Sequence, residues 1–237
     1  MEPDGVAFTR YLYEYHQVKY SLLFALLAKC REEALFWAFE LYHSGFEEQV
    51  WYWARDVYVD YYEDAHPSFK AKIDDCFLEW QESGDHCLLG TVVGTLAALN
   101  CAGKQIVILY KGDRHLTKPV ADNKPRNYLK QVSQFPIRQD VKDLVKDVLC
   151  VSSEEIREAY LGSNWLYYCA ETPIWKSRIQ EGLGIIGDRR VEFETDDLLE
   201  AFYERWGLEP DEQCKEMHLW HGVYTSESHQ FTGSNVH

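Results

Sequence analysis

Apolar positions crowd the stretch from Tyr20 to Tyr62, and their spacing predicts helix. Leu23, Leu26, Leu27, Ala34, Phe36, Trp37, Phe39 and Leu41 are too dense for a one-sided surface helix. They recur at intervals of three and four among good helix formers, with Glu32 and Glu33 as the main polar break. Ser44-Gly45 reads as the turn, because glycine takes a positive φ at no steric cost. A second helix follows, with Val50, Trp53, Ala54, Val57 and Tyr61 marking one face. The expectation is two long helices folded against each other. Their aromatic-rich faces bury apolar surface at roughly 25 cal/mol per Å², and they need further helices on both open sides.

The same reading extends along the chain. Val6 to His16, with Phe8, Tyr11, Leu12 and Tyr15, predicts a short entry helix. Pro67 breaks the chain before a helix over Phe69 to Glu82, whose inner face carries Phe69, Ile73, Cys76, Phe77 and Trp80 and which Ser83-Gly84-Asp85 ends. Cys87 to Ala102 predicts another apolar helix, in which Gly90 and Gly94 admit a close neighbour. Gln105 to Tyr110 fits a strand or a helix. After a stretch marked by Pro119, Pro125 and Pro136, Val141, Leu144, Val145 and Val148 define a short amphipathic helix. Ser152 and Glu155 fit a capping box opening a helix with Ile156, Tyr160, Trp165, Leu166 and Cys169. Thr172-Pro173 marks a break before helix to Gly182. Two short apolar runs around Gly187-Asp188-Arg189-Arg190 predict a hairpin, and Thr195 caps a last helix. The predicted class is mainly α: an antiparallel helical stack (1–103), a basic Pro-containing connector (104–138), a smaller helical part with one β-hairpin (139–221) and a disordered tail (222–237).

Charge narrows the partners. The net charge is -15 and the pI about 5.0, a field that repels nucleic acid and anionic membranes. No apolar run reaches the roughly 20 residues of a membrane span, and the acidic N-terminus is not a secretory signal. Residues 104–146 depart from this balance, with ten Lys/Arg against four Asp. Docking on the chain's own acidic surface is the expected use of that segment. Contact with an acidic partner or a nucleic-acid backbone through Lys118, Lys124, Arg126 and Lys130 is the alternative. The seven cysteines are an odd number, widely spaced and mostly inside apolar helical runs. They read as buried free thiols in a reducing compartment, so the expected location is intracellular.

Candidate chemistry is sparse. Cys214, His218 and His221 share a helical face and suit zinc, with Asp211 or Glu212 as a fourth ligand, but a paired Cys motif is missing. Neither a metal nor any other cofactor is therefore expected. The acid pairs Glu32-Glu33, Glu47-Glu48, Asp74-Asp75, Asp196-Asp197 and Asp211-Glu212 sit at helix starts or on solvated faces, which argues against a catalytic pair. Glycine-rich phosphate loops are absent from the sequence. Cys87 beside His86 is read as an ordinary buried thiol rather than a nucleophile. No catalytic residue is assigned.

Two sets of blocks carry resemblances. E-E-A-L-F-W-A-F-E-L-Y-H-S-G-F, Glu32 to Phe46, resembles the helical segment in the C-terminal collar of bacterial clamp-loader-related ATPases. With no counterpart of the ATPase part, that resemblance implies an oligomerising helical fold and no ATP hydrolysis. The helix pair together with L-L-G-T-V-V (Leu88 to Val93), E-T-P-I-W-K-S-R-I (Glu171 to Ile179), G-I-I-G-D (Gly184 to Asp188) and F-Y-E-R-W-G-L-E-P-D-E-Q (Phe202 to Gln213) resembles uncharacterised helical proteins of nucleocytoplasmic large DNA viruses. That resemblance covers some two thirds of the chain. It implies a protein of the infected host's cytoplasm or of the virion, and brings no catalytic residues. The expected function is a non-enzymatic interaction or structural and assembly protein, binding a protein partner or itself. A nucleic-acid accessory factor using residues 104–146 is the alternative, and a metal-dependent enzyme a further one.

Overall fold

The computed structural model describes residue 3 and residues 6–101, 135–149 and 165–206. The run Gln105–Tyr110, the Ser152–Glu155 box, Cys150 and the tail 222–237 lie outside the described residues. The elements are α1 (Tyr15–Leu27), α2 (Arg31–Tyr42), α3 (Glu47–Tyr61), α4 (Phe69–Ser83), α5 (His86–Leu96), α6 (Gln139–Leu149), α7 (Trp165–Ala170), α8 (Pro173–Glu181), β1 (Ile185–Ile186), β2 (Val191–Glu192) and α9 (Asp196–Trp206). The described chain is mainly helical, with one two-stranded antiparallel hairpin in its C-terminal part, in register Ile185 with Glu192 and Ile186 with Val191. No described helix is long and apolar enough to cross a membrane.

Helix α2 is the centre. It packs on α1, α3 and α5, while α4 covers α5 and α6 lies on α1. A helix that is apolar nearly all round is one surrounded by others. Gly90 and Gly94 of α5 admit side chains rather than backbone from α2. A Cβ at Gly90 would lie 3.1 Å from the Phe39 ring, and one at Gly94 would lie 3.0 Å from Nε of Arg31.

Two expected helices are corrected. The first long helix is two, α1 and α2, because the chain turns at Ala28-Lys29-Cys30. Cys30 N donates to Ala25 O (2.8 Å) and Lys29 N to Leu26 O (3.0 Å). That is the Schellman pattern, closed by a left-handed residue. Lys29 takes that role with φ 57°, and its ammonium bonds Asn100 Oδ1. The chain closes α2 the same way at Gly45, φ 93°, with Phe46 N on Leu41 O and Gly45 N on Tyr42 O. The second correction is the entry helix. Residues 6–14 form a tight non-helical loop, with Leu12 at φ 61°, Thr9 N donating to Tyr13 O (2.8 Å) and Tyr15 N to Ala7 O (2.9 Å). Every one of these nine residues is buried.

Helix α1 starts on a buried acid. The Glu14 carboxylate accepts from His16 N (3.0 Å) and Gln17 N (2.8 Å). Burial pushes its pKa up to about 7 against the lowering pull of those two bonds. Between the ordinary value of 4.5 and about 7, the folded chain holds a proton the unfolded chain has lost. Stability from this group is therefore full below pH 4.5 and falls as the pH rises through about 7. Urea unfolding should show the wild type losing stability relative to Glu14→Gln between pH 5 and pH 7.5. A difference that stays flat across that window would contradict the burial.

Candidate functional site

Among the described residues, one concentration of polar groups is buried and joins three parts of the chain. Glu40 of α2 lies between Phe39 and Leu41. Its Oε2 accepts from Arg10 Nε at 2.9 Å, and its Oε1 from Tyr11 N at 3.1 Å. Ser44 Oγ accepts from Arg10 N (2.8 Å) and donates to Glu40 O (2.6 Å). From the C-terminal side, Thr172 Oγ1 donates to Phe8 O (2.5 Å), Trp175 Nε1 to Thr9 O (2.8 Å) and Arg178 Nη1 to Arg10 O (3.4 Å). The Arg178 guanidinium stands 4.4 Å from the Trp175 ring centroid and 4.1 Å from that of Trp206. Arg10, Glu40, Ser44, Thr172 and Arg178 are all buried. Charges withdrawn from water in this way are tolerated when paired and hydrogen-bonded, as Glu40 is, although Nη1 of Arg10 finds no hydrogen-bond acceptor among the described residues. With each named group directed at backbone or at its ion partner, the cluster fixes residues 8–11 between α2 and α8. Its described bonds tie one part of the chain to another.

A second cluster faces solvent where the end of α2 meets the start of α5. Gly84, φ 69°, makes the turn after α4. Tyr42 holds that turn by donating to Gly84 O (3.2 Å) while accepting from Trp80 Nε1 (2.9 Å). Asp85 then caps α5, Oδ1 accepting from Cys87 N at 2.8 Å. Asp85, His86 and Cys87 are exposed and offer a carboxylate oxygen, an imidazole nitrogen and a sulfur within 4.8 Å of one another. His43, the residue capping the end of α2, places its ring centroid 5.6 Å from that of His86. Phe39 flanks both imidazoles, 5.9 Å from His43 and 5.7 Å from His86. Burial, with help from Arg10 and His86, lowers the His43 pKa to about 4, so this imidazole is neutral at neutral pH. The hydrogen bond and charge of Asp85 raise the Cys87 thiol above its ordinary value. That is the opposite of what a nucleophilic cysteine needs.

The third feature is a surface strip. Tyr52, Val59 and Leu78 are exposed to 48, 53 and 60%, and differ from the other exposed large apolar residues among those described, Leu183 and Ile185, in lying on two helices joined by an ion pair. Tyr52, Arg55 and Val59 follow at i, i+3 and i+7 on α3, and Asp74 and Leu78 at i and i+4 on α4. Arg55 Nη2 meets Asp74 Oδ1 at 3.1 Å. Tyr52 lies against Phe77, centroids 5.9 Å apart. The two helices therefore display one strip, with Tyr52 and Leu78 at one end, an ion pair in the middle and Val59 at the other end.

The residues singled out from sequence fare differently. Lys118, Lys124, Arg126 and Lys130 lie outside the described residues, as do Cys214, His218 and His221 with Asp211 and Glu212. Of the basic segment's end, Phe135 and Ile137 are core residues. The Phe135 ring sits 5.2 Å from Phe36, and its carbonyl accepts from the Tyr13 hydroxyl at 3.1 Å. Cys76 and Cys169 are buried free thiols as expected, whereas Cys30 and Cys101 are half-buried and Cys87 is exposed, contrary to its reading as an ordinary buried thiol. Glu33, read with Glu32 as lying at a helix start or on a solvated face, is in the first turn of α2 and is buried there, accepting from Trp37 Nε1 at 3.3 Å. Arg10, Glu40, His43 and Asp85 were not identified from sequence as a site. Glu40 carries the one available signal, an acid flanked by Phe39 and Leu41 inside an apolar helix. No family model matches the chain, and neither curated proteins nor solved structures yield a match to it.

Proposed function

We propose that the protein is a non-enzymatic interaction and assembly protein whose α3–α4 strip receives a protein partner, a second copy of the chain in the first instance. The observation that carries this reading is the strip itself: three large apolar side chains exposed around the Arg55–Asp74 pair. A twofold contact needs a self-complementary patch. A strip with apolar ends and both signs of charge at its centre meets that need, since rotation sets Arg55 against Asp74 of the second copy. The polar knot around Glu40 supports the same reading, because it gives the helices a rigid frame to present. The resemblance to helical proteins of large DNA viruses fits a part in assembly.

The test is the native mass as a function of protein concentration, for wild type and for the double variant Tyr52→Glu and Leu78→Glu. Both side chains are exposed, so the fold should survive, which circular dichroism checks. The wild type is expected to associate and the variant to remain monomeric. A wild type that stays monomeric, or association untouched by the two charges, would reject the strip as the interface.

A further inference from the structure

We propose that His43, Asp85, His86 and Cys87 form a binding site for a divalent cation of the zinc class, one borderline-soft and content with four ligands. The donor set is the first argument. A sulfur, two imidazoles and a carboxylate are the ligands this class takes, and together they match its charge: one carboxylate and one thiolate neutralise two positive charges. Magnesium or calcium would want more oxygen than the cluster supplies.

Geometry is the second argument. Three of the donor atoms already lie within 4.8 Å of one another. Two imidazoles sharing one tetrahedral ion, with metal–nitrogen bonds near 2.0–2.1 Å, have ring centroids about 5 Å apart. His43 and His86 stand at 5.6 Å with planes 62° apart, close to that separation, so His43 is the nearby imidazole that would complete the set. Asp85 accepts from Cys87 N through Oδ1 and from the Cys87 thiol, and loss of the thiol proton on binding would free the carboxylate from the second of these bonds.

The frame is the third. His43 comes from the end of α2, the other three from the start of α5, and these helices pack on each other. Tyr42 ties the turn before Asp85 to α2 through Gly84 O, and Phe39 walls the imidazoles on one side. The ligands thus span residues 43 to 87 on two fixed elements, rather than hanging on one flexible loop. The step is a displacement: the Cys87 S–H bond breaks, the sulfur lone pair goes to the metal, and one proton leaves to the buffer for each ion bound. Nothing is oxidised or reduced. This site is separate from the α3–α4 strip, and its failure would leave that reading standing.

Cobalt(II) titration of the full reduced chain tests it, because a cobalt–thiolate bond absorbs in the near ultraviolet and tetrahedral cobalt in the visible. One equivalent is expected to give both bands, zinc to bleach them, and Cys87→Ser to abolish the near-ultraviolet band. His43→Gln is expected to weaken binding at least about tenfold, as losing a ligand costs no less than losing a group that merely supports one. Cys214→Ser serves as control and should leave the bands unchanged. Absence of a thiolate band, a band that survives Cys87→Ser, a band that Cys214→Ser removes, or an affinity indifferent to His43→Gln would each overturn the four-donor site. Circular dichroism of each variant confirms that the comparison is between folded proteins.

Discussion

Replacing Glu40 by alanine is expected to destabilise the protein by about 3–5 kcal/mol, the cost of breaking a buried ion pair from one side. The reasons are local. Arg10 would keep its charge with its carboxylate partner gone, at a side chain exposed to only 5%. Tyr11 N would lose its acceptor, and an unsatisfied buried donor adds roughly 1–3 kcal/mol within that cost. Relief through a pKa change is closed to Arg10, because guanidinium does not give up its proton in proteins. The double replacement Arg10→Met with Glu40→Leu separates charge from packing. It removes both ions and keeps apolar volume, so it should recover much of the loss. Chemical denaturation of the three proteins checks this. If Glu40→Ala costs under about 1 kcal/mol, or the double variant is worse than the single one, the pair is not held as described.

The second large effect is expected at Gly45, where two penalties coincide. Its φ of 93° is strained for any residue with a side chain, at roughly 1–2 kcal/mol. A Cβ would also lie 2.5 Å from Pro173 Cβ and 3.0 Å from its Cγ. Neither side can retreat cheaply. Ile174 N donates to Ser44 O at 3.3 Å, so α8 starts against this turn, and a proline ring has little freedom to turn away. Gly45→Ala should therefore cost about 3 kcal/mol or more, strain and overpacking together. Adding Pro173→Gly opens the space while leaving φ strained, so the Gly45→Ala penalty measured on that background should shrink by roughly half. The same penalty on both backgrounds would mean that α8 does not dock on the α2–α3 turn.

These two positions also show what the sequence made legible. Gly45 was readable because glycine at the end of an apolar helix has one common use, and the turn, α3 and α4 follow from periodicity. The break at Lys29 was not readable. Its left-handed conformation is adopted by a lysine between Ala28 and Cys30, where composition gives no warning and hydrogen bonds to Ala25 and Leu26 decide. Residues 6–14 misled for a related reason. Phe8, Tyr11, Leu12 and Tyr15 fit helical spacing, and all are buried, yet Ser44, Glu40, Thr172 and Trp175 take up their backbone groups in place of helical bonds. Long-range partners override local propensity here, and they sit 29 to 166 residues away in sequence. The cation cluster was hidden by the same distance: Asp85, His86 and Cys87 are neighbours in the chain, but His43 joins them only when α2 and α5 pack.

The reading of the protein as an assembly module rests on the α3–α4 strip, and light scattering of the wild-type chain across ionic strength tests it most directly. The net charge of -15 makes two copies repel, and salt screens that repulsion over a Debye length near 10 Å at 0.1 M. Association through the strip should therefore strengthen from low to moderate salt and ignore an added oligonucleotide. A chain that remains monomeric at every salt concentration, and gains mass with the oligonucleotide only at low salt, would contradict the account. It would point to the basic residues between 104 and 146 instead.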